Sequence, residues 1–221
     1  MSTLQKVENP RTHQRKRSGE KLCILVAGPG ECIAIDMASG VLIRSVLPDS
    51  IQAMCGSYEL VEANKRPVSE PKDPSRPEAV RLEGNVNLTG KRVRRRRAHR
   101  IIRPLLAPKS LPLLGFRGPA ASYWTLSGNH PSVTIVAPDR GPLMLSRKDG
   151  SVWVRFGMGR TVEELPVVDP RISSTVKANG ATRMGGKHLY QVLGWKPKLI
   201  VIALSMPLDG YCYKTVVGLL P

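Results

Sequence analysis

The stretch LCILVAGPGECIAIDMASGVLIRSV, residues 22–46, decides the fold class. Leu22–Ala27 is an unbroken apolar run of strand length, the pattern of a strand covered on both faces. Gly28-Pro29-Gly30 turns the chain. Ile33, Ile35 and Met37 then alternate with Ala34 and Asp36, the period of a half-buried strand. Ala38-Ser39-Gly40 makes a second turn, and Val41–Leu47 returns as a third strand.

Outward from this meander the pattern recurs. Ser57–Ala63 and Ser132–Ala137 read as strands. Leu143–Ser146 and Ser151–Phe156 flank Asp149-Gly150, a hairpin signal because both turn residues tolerate positive φ. Thr161–Val168, Leu199–Ser205 and Tyr211–Leu219 complete the strands. Ala98, Ile101, Ile102 and Leu105 fall at i, i+3, i+4, i+7, one stripe of a short helix that Pro104 bounds. His188–Leu193 is one or two helical turns. No repeated βαβ unit occurs, which argues against a doubly wound fold. The expected fold is mainly β: a meander-type, partly open barrel or sandwich with one or two short surface helices.

Residues 22–46 also overlay residues 132–156 with one inserted residue, aligning Val26 with Val136, Ala27 with Ala137, Gly40 with Gly150 and Arg44 with Arg155. The overlay reads either as a duplicated three-strand unit or as two ordinary meanders sharing common strand residues.

Residues 1–21 read as a flexible basic tail. Residues 64–79 carry Pro67, Pro71, Pro74 and Pro77 among charges, so they read as a linker or surface excursion without regular structure. The piece before it is too short to stabilise itself, since chains under roughly 40–60 residues bury too little surface. Residues 22–221 are therefore expected to form a single strand-rich domain, the early strands pairing with the later sheet.

Hydrophobic residues make up 41% of the 221, enough for a packed core. The formal charge of +17 favours anionic partners. No apolar window reaches the roughly 18–20 residues of a bilayer helix, so no membrane role is expected. A basic start meeting an apolar run superficially suggests a secretory leader, but a good small-residue cleavage site is missing, which favours the cytoplasm. Cys23, Cys32, Cys55 and Cys212 form no Cys-x-x-Cys pair and have no histidine at zinc spacing, so they read as buried reduced thiols, with no metal or cofactor expected.

The sharpest chemical feature is a basic segment at 91–117. Between Gly84 and Pro138 the chain has no Asp or Glu and ten Lys or Arg. The candidate phosphate-gripping residues are Arg92, Arg94, Arg95, Arg96, Arg97, Arg100, Arg103 and Arg117. The guanidinium fork donates two hydrogen bonds at once to phosphate, and crowded like charges are relieved by a polyanion. Tyr123 and Trp124 are the candidate base-stacking aromatics. A solvated basic loop, its aromatics anchored in the core, is the plainer alternative.

Other motifs are weaker. Gly28-Pro29-Gly30 precedes a strand, where phosphate binding needs a helix. ATRMGGKH (181–188) departs from a P-loop at Ala181 and His188 and reads better as a glycine turn before a helix. Glu163 and Glu164 are adjacent on a strand and face opposite sides. Trp153 and Arg155 share a face, where the Arg stem is expected on the ring. Asp36, Asp139 and Asp169 are carboxylates that a fold could gather in space. The histidines, His13, His99, His130 and His188, have no Gly-x-Ser-x-Gly elbow to serve. Three functions remain: a non-enzymatic binder of nucleic acid, most simply RNA; an assembly factor docking on an acidic protein; and an enzyme with a site of scattered polar residues.

Overall fold

In the computed structural model, which describes residues 19–68, 73–127 and 130–221, the Leu22–Ala27 run lies in β1 (Glu20–Gly28) at the centre of an antiparallel sheet. Its companions are β2 (Glu31–Asp36), β3 (Leu42–Ser45), β4 (Glu59–Pro67) and β5 (Val80–Arg92), in the order β3-β2-β1-β4-β5. A second sheet, β6-β13-β12-β7, uses β6 (Ala120–Ser122), β7 (Val133–Val136), β12 (Leu199–Leu204) and β13 (Tyr211–Leu220). A third, β10-β9-β8-β11, uses β8 (Arg140–Ser146), β9 (Val152–Met158), β10 (Thr161–Pro166) and β11 (Arg183–Gly185). The protein is mainly β and antiparallel, with a sheet curled into a half-barrel. Most of the 1–21 tail lies outside the described residues, although Glu20 and Lys21 belong to β1.

The two continuous apolar runs are apolar for the same reason: both of their faces are covered. On β1, Leu22 and Ile24 enter a core shared with Val61 and Ala63 of β4, while Cys23 and Leu25 enter one shared with Val201, Ala203 and Val217. On β12, Ile200, Ile202 and Leu204 face a third core with Val154 and Phe156 of β9. The first sheet thus packs face to face on the second and does not pair with it, contrary to the sequence expectation. The approach is close at Gly218, where a Cβ would come 2.5 Å from Val26 Cγ2.

Four α-helices are present among the described residues: α1 (Asp49–Met54), α2 (Arg95–Ile102), α3 (Pro170–Ala178) and α4 (Gly186–Leu193). The sequence pattern anticipates α2 and α4. It passes over α1 and over α3, which Asp169 caps by accepting from the backbone N–H groups of Arg171 and Ile172, with Pro170 in the first turn. The described parts of the Pro-rich segment, residues 64–68 and 73–79, are more ordered than expected. Strand β4 runs to Pro67, and Lys65 on it bonds to buried Asp36. Residues 73–79 then dock against the sheets, Glu78 accepting from the Ser132 N–H and hydroxyl.

Arg44 joins these parts. It is 2% exposed, and its guanidinium donates to Glu31, to Ser132 Oγ at 2.9 Å and to the Leu204 carbonyl at 2.9 Å. Arg155, its partner in the sequence overlay, is exposed and pairs with Glu164. The strand pairing differs as well: β1, β2 and β3 form a meander, whereas β7 pairs with β12 and only β8 and β9 pair with each other. The three-strand duplication is therefore not reproduced.

Candidate nucleic-acid interface

The arginine run forms α2 because two small or apolar positions, Ala98 and Ile102, land on one face and bury there. The helix is tied at both ends. Val93 N–H donates to the Tyr58 carbonyl at 2.8 Å, and Arg92 Nε donates to the Ser57 carbonyl at 2.8 Å. His99 Nε2 meets the Pro221 carbonyl at 2.6 Å, and the Tyr58 hydroxyl donates to the same oxygen at 3.2 Å. At 100° per residue, Arg96 and Arg100 then point away from the buried stripe, while Arg95 leans to the His99 side and Arg97 to the other. Arg92, Arg94–Arg97, Arg100 and Arg103 are all exposed.

Electrostatically this helix is built against itself. Its first turn carries no acidic residue and no side-chain cap, and Arg95, Arg96 and Arg97 crowd the positive end of the backbone dipole. Arg96 and Arg100 stand at i, i+4, and Arg97 and Arg100 at i, i+3, where like charges repel. None of the eight candidate arginines, Arg117 included, has a carboxylate within 4.0 Å among the described residues.

The candidate aromatics are placed elsewhere. Tyr123 and Trp124 stack edge to face at 5.4 Å in a 3₁₀ turn, where Tyr123 N–H donates to the Gly210 carbonyl. That is the Tyr211 end of β13, whereas α2 sits at the Leu220 end, about 30 Å away along ten strand residues. Trp124 is 84% exposed, but the structure does not bring it to the arginines. Arg117 is also separate: it lines a cavity with Arg160 and Lys214.

Other residues meet α2 instead. The chain leaving α2 runs parallel to β7, Leu106 beside Ile135, and Ile135 pairs with Val201 of β12. The segment that leads into β12 is thereby brought against α2. Between α2 and α4 lies a cavity of about 680 Å³ lined by Arg95, Lys187, Tyr190, Trp195 and Lys196. A neighbour of about 650 Å³ shares Lys196 and adds His99, Arg103 and Lys198. A third, of about 380 Å³, shares Arg95 and adds Tyr58, Arg92 and Arg94. Shared walls make these one basic surface. Its one lining Asp or Glu among the described residues, Asp139, already pairs with Lys109. Tyr190 is 50% exposed. The sequence signal for this wall is GWKPK (194–198), where Gly194 ends α4 at φ 75° and the Lys-Pro-Lys that follows cannot extend the helix.

The remaining candidates take structural roles. Asp36 is held at about 2: burial raises its pKa, but hydrogen bonds from Lys65, Ser39 and the Ala38 N–H outweigh that. Asp139 pairs with Lys109, and Asp169 caps α3. Glu164 bridges Arg147 and Arg155, and it is Arg147, 3.6 Å from the ring centroid, that lies over Trp153 in place of Arg155. In place of the expected glycine turn, Gly185 ends β11 in an extended conformation and serves as the N-cap of α4, with Gly186 and Lys187 in its first turn. His13 lies outside the described residues. The four cysteines are free and buried, and no group of three or more His, Cys, Asp or Glu able to hold a metal ion occurs among the described residues. No helix among them is long and apolar enough to cross a membrane. Compared with known proteins, the chain matches no protein-family model and no curated sequence.

Proposed function

We propose that this chain binds nucleic acid, RNA above all, through the surface around α2. One observation carries the reading: seven exposed arginines without carboxylate partners adjoin a concave wall of lysines and aromatics. Arg92, Arg94–Arg97, Arg100 and Arg103 grip phosphates, with Lys187, Lys196 and Lys198 extending the track. Tyr190 and Trp195 replace Tyr123 and Trp124 as the stacking side chains. Unpaired bases suit this arrangement, because a cavity beside a cationic track accepts a base that duplex pairing would withhold. Four buried thiols fit the reducing cytoplasm, where RNA is the abundant polyanion.

Fluorescence titration of single- and double-stranded RNA and DNA over a range of salt tests the reading. Neutralising about five phosphates predicts a log–log salt slope of about −3 to −5. Changing Arg94–Arg97 to Ala together is expected to flatten that slope by about three. Tyr190→Ala with Trp195→Ala is expected to weaken single strands by about 1–3 kcal/mol per stacked base and to spare duplexes. A protein that binds none of the four nucleic acids at low ionic strength refutes the proposal. Saturable binding to one acidic protein after nuclease treatment would favour the assembly-factor reading.

A further inference from the structure

Beyond the Lys109–Asp139 ion pair lies a cavity of about 860 Å³, between the loop 109–118 and the turn that joins β9 to β10. Its cationic residues besides Lys109 are Arg117, Arg160 and Lys214. Arg117 and Arg160 are exposed and without carboxylate partners among the described residues.

Lys214 is the unusual member. It is 2% exposed, yet no carboxylate lies within 4.0 Å among the described residues. Its Nζ donates one hydrogen bond, to the Phe116 carbonyl at 2.7 Å, and lies 4.2 Å from the centroid of the Phe116 ring. An ammonium has three donors, so its shell is incomplete. Burial lowers its pKa, and the charge of Glu163 partly restores it. Glu163 lines the same cavity and accepts from the Thr161 hydroxyl at 3.3 Å. A buried cation that lacks a counterion is costly to keep unless something supplies one.

Part of the cavity rim is apolar. Leu111 is 59% exposed and Val162 60% exposed, and both line this cavity beside the Phe116 ring. Large aliphatic side chains left in water at the rim of a cationic pocket fit a ligand with an apolar body and an anionic head.

We propose that this cavity binds a small organic oxyanion, with its head toward Lys214, Arg117 and Arg160 and its body against Phe116, Leu111 and Val162. Phosphate monoesters and carboxylates share that chemistry. The site is independent of nucleic-acid binding at α2.

The test is calorimetric titration and thermal melting with phenyl phosphate, benzoate and inorganic phosphate, at ionic strength matched with sodium chloride. Phenyl phosphate or benzoate is expected to bind and raise the melting temperature, whichever is tighter identifying the head group, and inorganic phosphate to bind roughly tenfold more weakly for want of apolar contact. Lys214→Met is expected to remove the ligand-dependent shift without lowering the melting temperature of the free protein, because it deletes a buried charge that has no carboxylate in contact. Should that variant fail to fold, Arg117→Ala with Arg160→Ala, both on the surface, is expected to weaken binding at least roughly tenfold. Arg94–Arg97→Ala must leave binding of these small anions unchanged. The proposal is overturned if neither organic anion binds, if inorganic phosphate binds as well as they do, or if binding survives both the Lys214 and the Arg117/Arg160 changes.

Discussion

Arg96→Glu should make the free protein more stable and, under the proposed function, weaken nucleic-acid binding. Arg96 lies in the first turn of α2, where a cation costs about 0.3–1 kcal/mol and an anion gains about as much. It also stands four residues before Arg100, a like-charge pair worth about 0.2–0.5 kcal/mol of repulsion, which becomes an attraction of similar size with Glu in the N-terminal position. Exposure and salt trim the sum to about 1–2 kcal/mol. For a chain of 221 residues each kcal/mol moves the melting temperature by about 2–4 °C, so a rise of about 2–8 °C is expected at low ionic strength. Arg96→Gln should give about half. Melting both variants and the wild type at low salt and near 1 M salt is the assay, because the screening length falls from about 10 Å at 0.1 M to about 3 Å at 1 M and the gain should shrink with it. A variant that melts at or below the wild type at low salt, or a gain that survives high salt, refutes the claim that the arginines of α2 strain the helix electrostatically.

Three further outcomes are expected. Asp36, held at about 2 from an ordinary 3.8, contributes stability that is fully present above pH 4 and lost as pH falls toward 2. Asp36→Asn should therefore cost about 2 kcal/mol in urea midpoints near pH 7, with the gap to wild type closing below pH 4; a constant gap would contradict the assignment. Gly218→Ala should destabilise by about 1–3 kcal/mol through its clash with Val26, and Val26→Ala in the same chain should recover part of the loss; strictly additive effects would refute the contact. Burial raises the Cys23 and Cys55 thiols to about 11 and Cys32 further, so iodoacetamide near pH 8 should modify none of the four cysteines natively and all four in denaturant. Native labelling at any one of them would contradict its burial.

The strands covered on both faces were the most legible elements, because a run such as Leu22–Ala27 or Leu199–Leu204 has few other stable settings. Strand β5 was hidden. Val80, Leu82, Val86 and Leu88 keep the two-residue period, but Gly84, at φ 69°, stands where the pattern needs an apolar side chain, and β4 and β5 slip register between Glu62 and Asn64. The arginines of the candidate interface announced themselves by number. Their aromatic neighbours did not, because Tyr190 and Trp195 reach α2 only through the pairing of β7 with β12. Proximity in sequence favoured Tyr123 and Trp124 over them, and it misled for a physical reason: a hydrogen-bonded register with β13 carries those two to the opposite end of that strand. The buried state of Arg44 was equally unreadable, since its partners Ser132 and Leu204 are 88 and 160 residues away.

Arg44 also constrains how the chain reaches its native state during synthesis. The N-terminal sheet emerges first, and β3 brings into it a guanidinium whose acceptors on β12 and before β7 have not yet been made. Until those strands arrive, Glu31 of β2 pairs with that charge but water must serve its remaining donors, and the apolar face of β1 that ends against β12 and β13 stays uncovered. The first sheet therefore cannot bury this face or complete the Arg44 bonds until β12 and β13 are made, which ties its consolidation to contacts of high sequence separation.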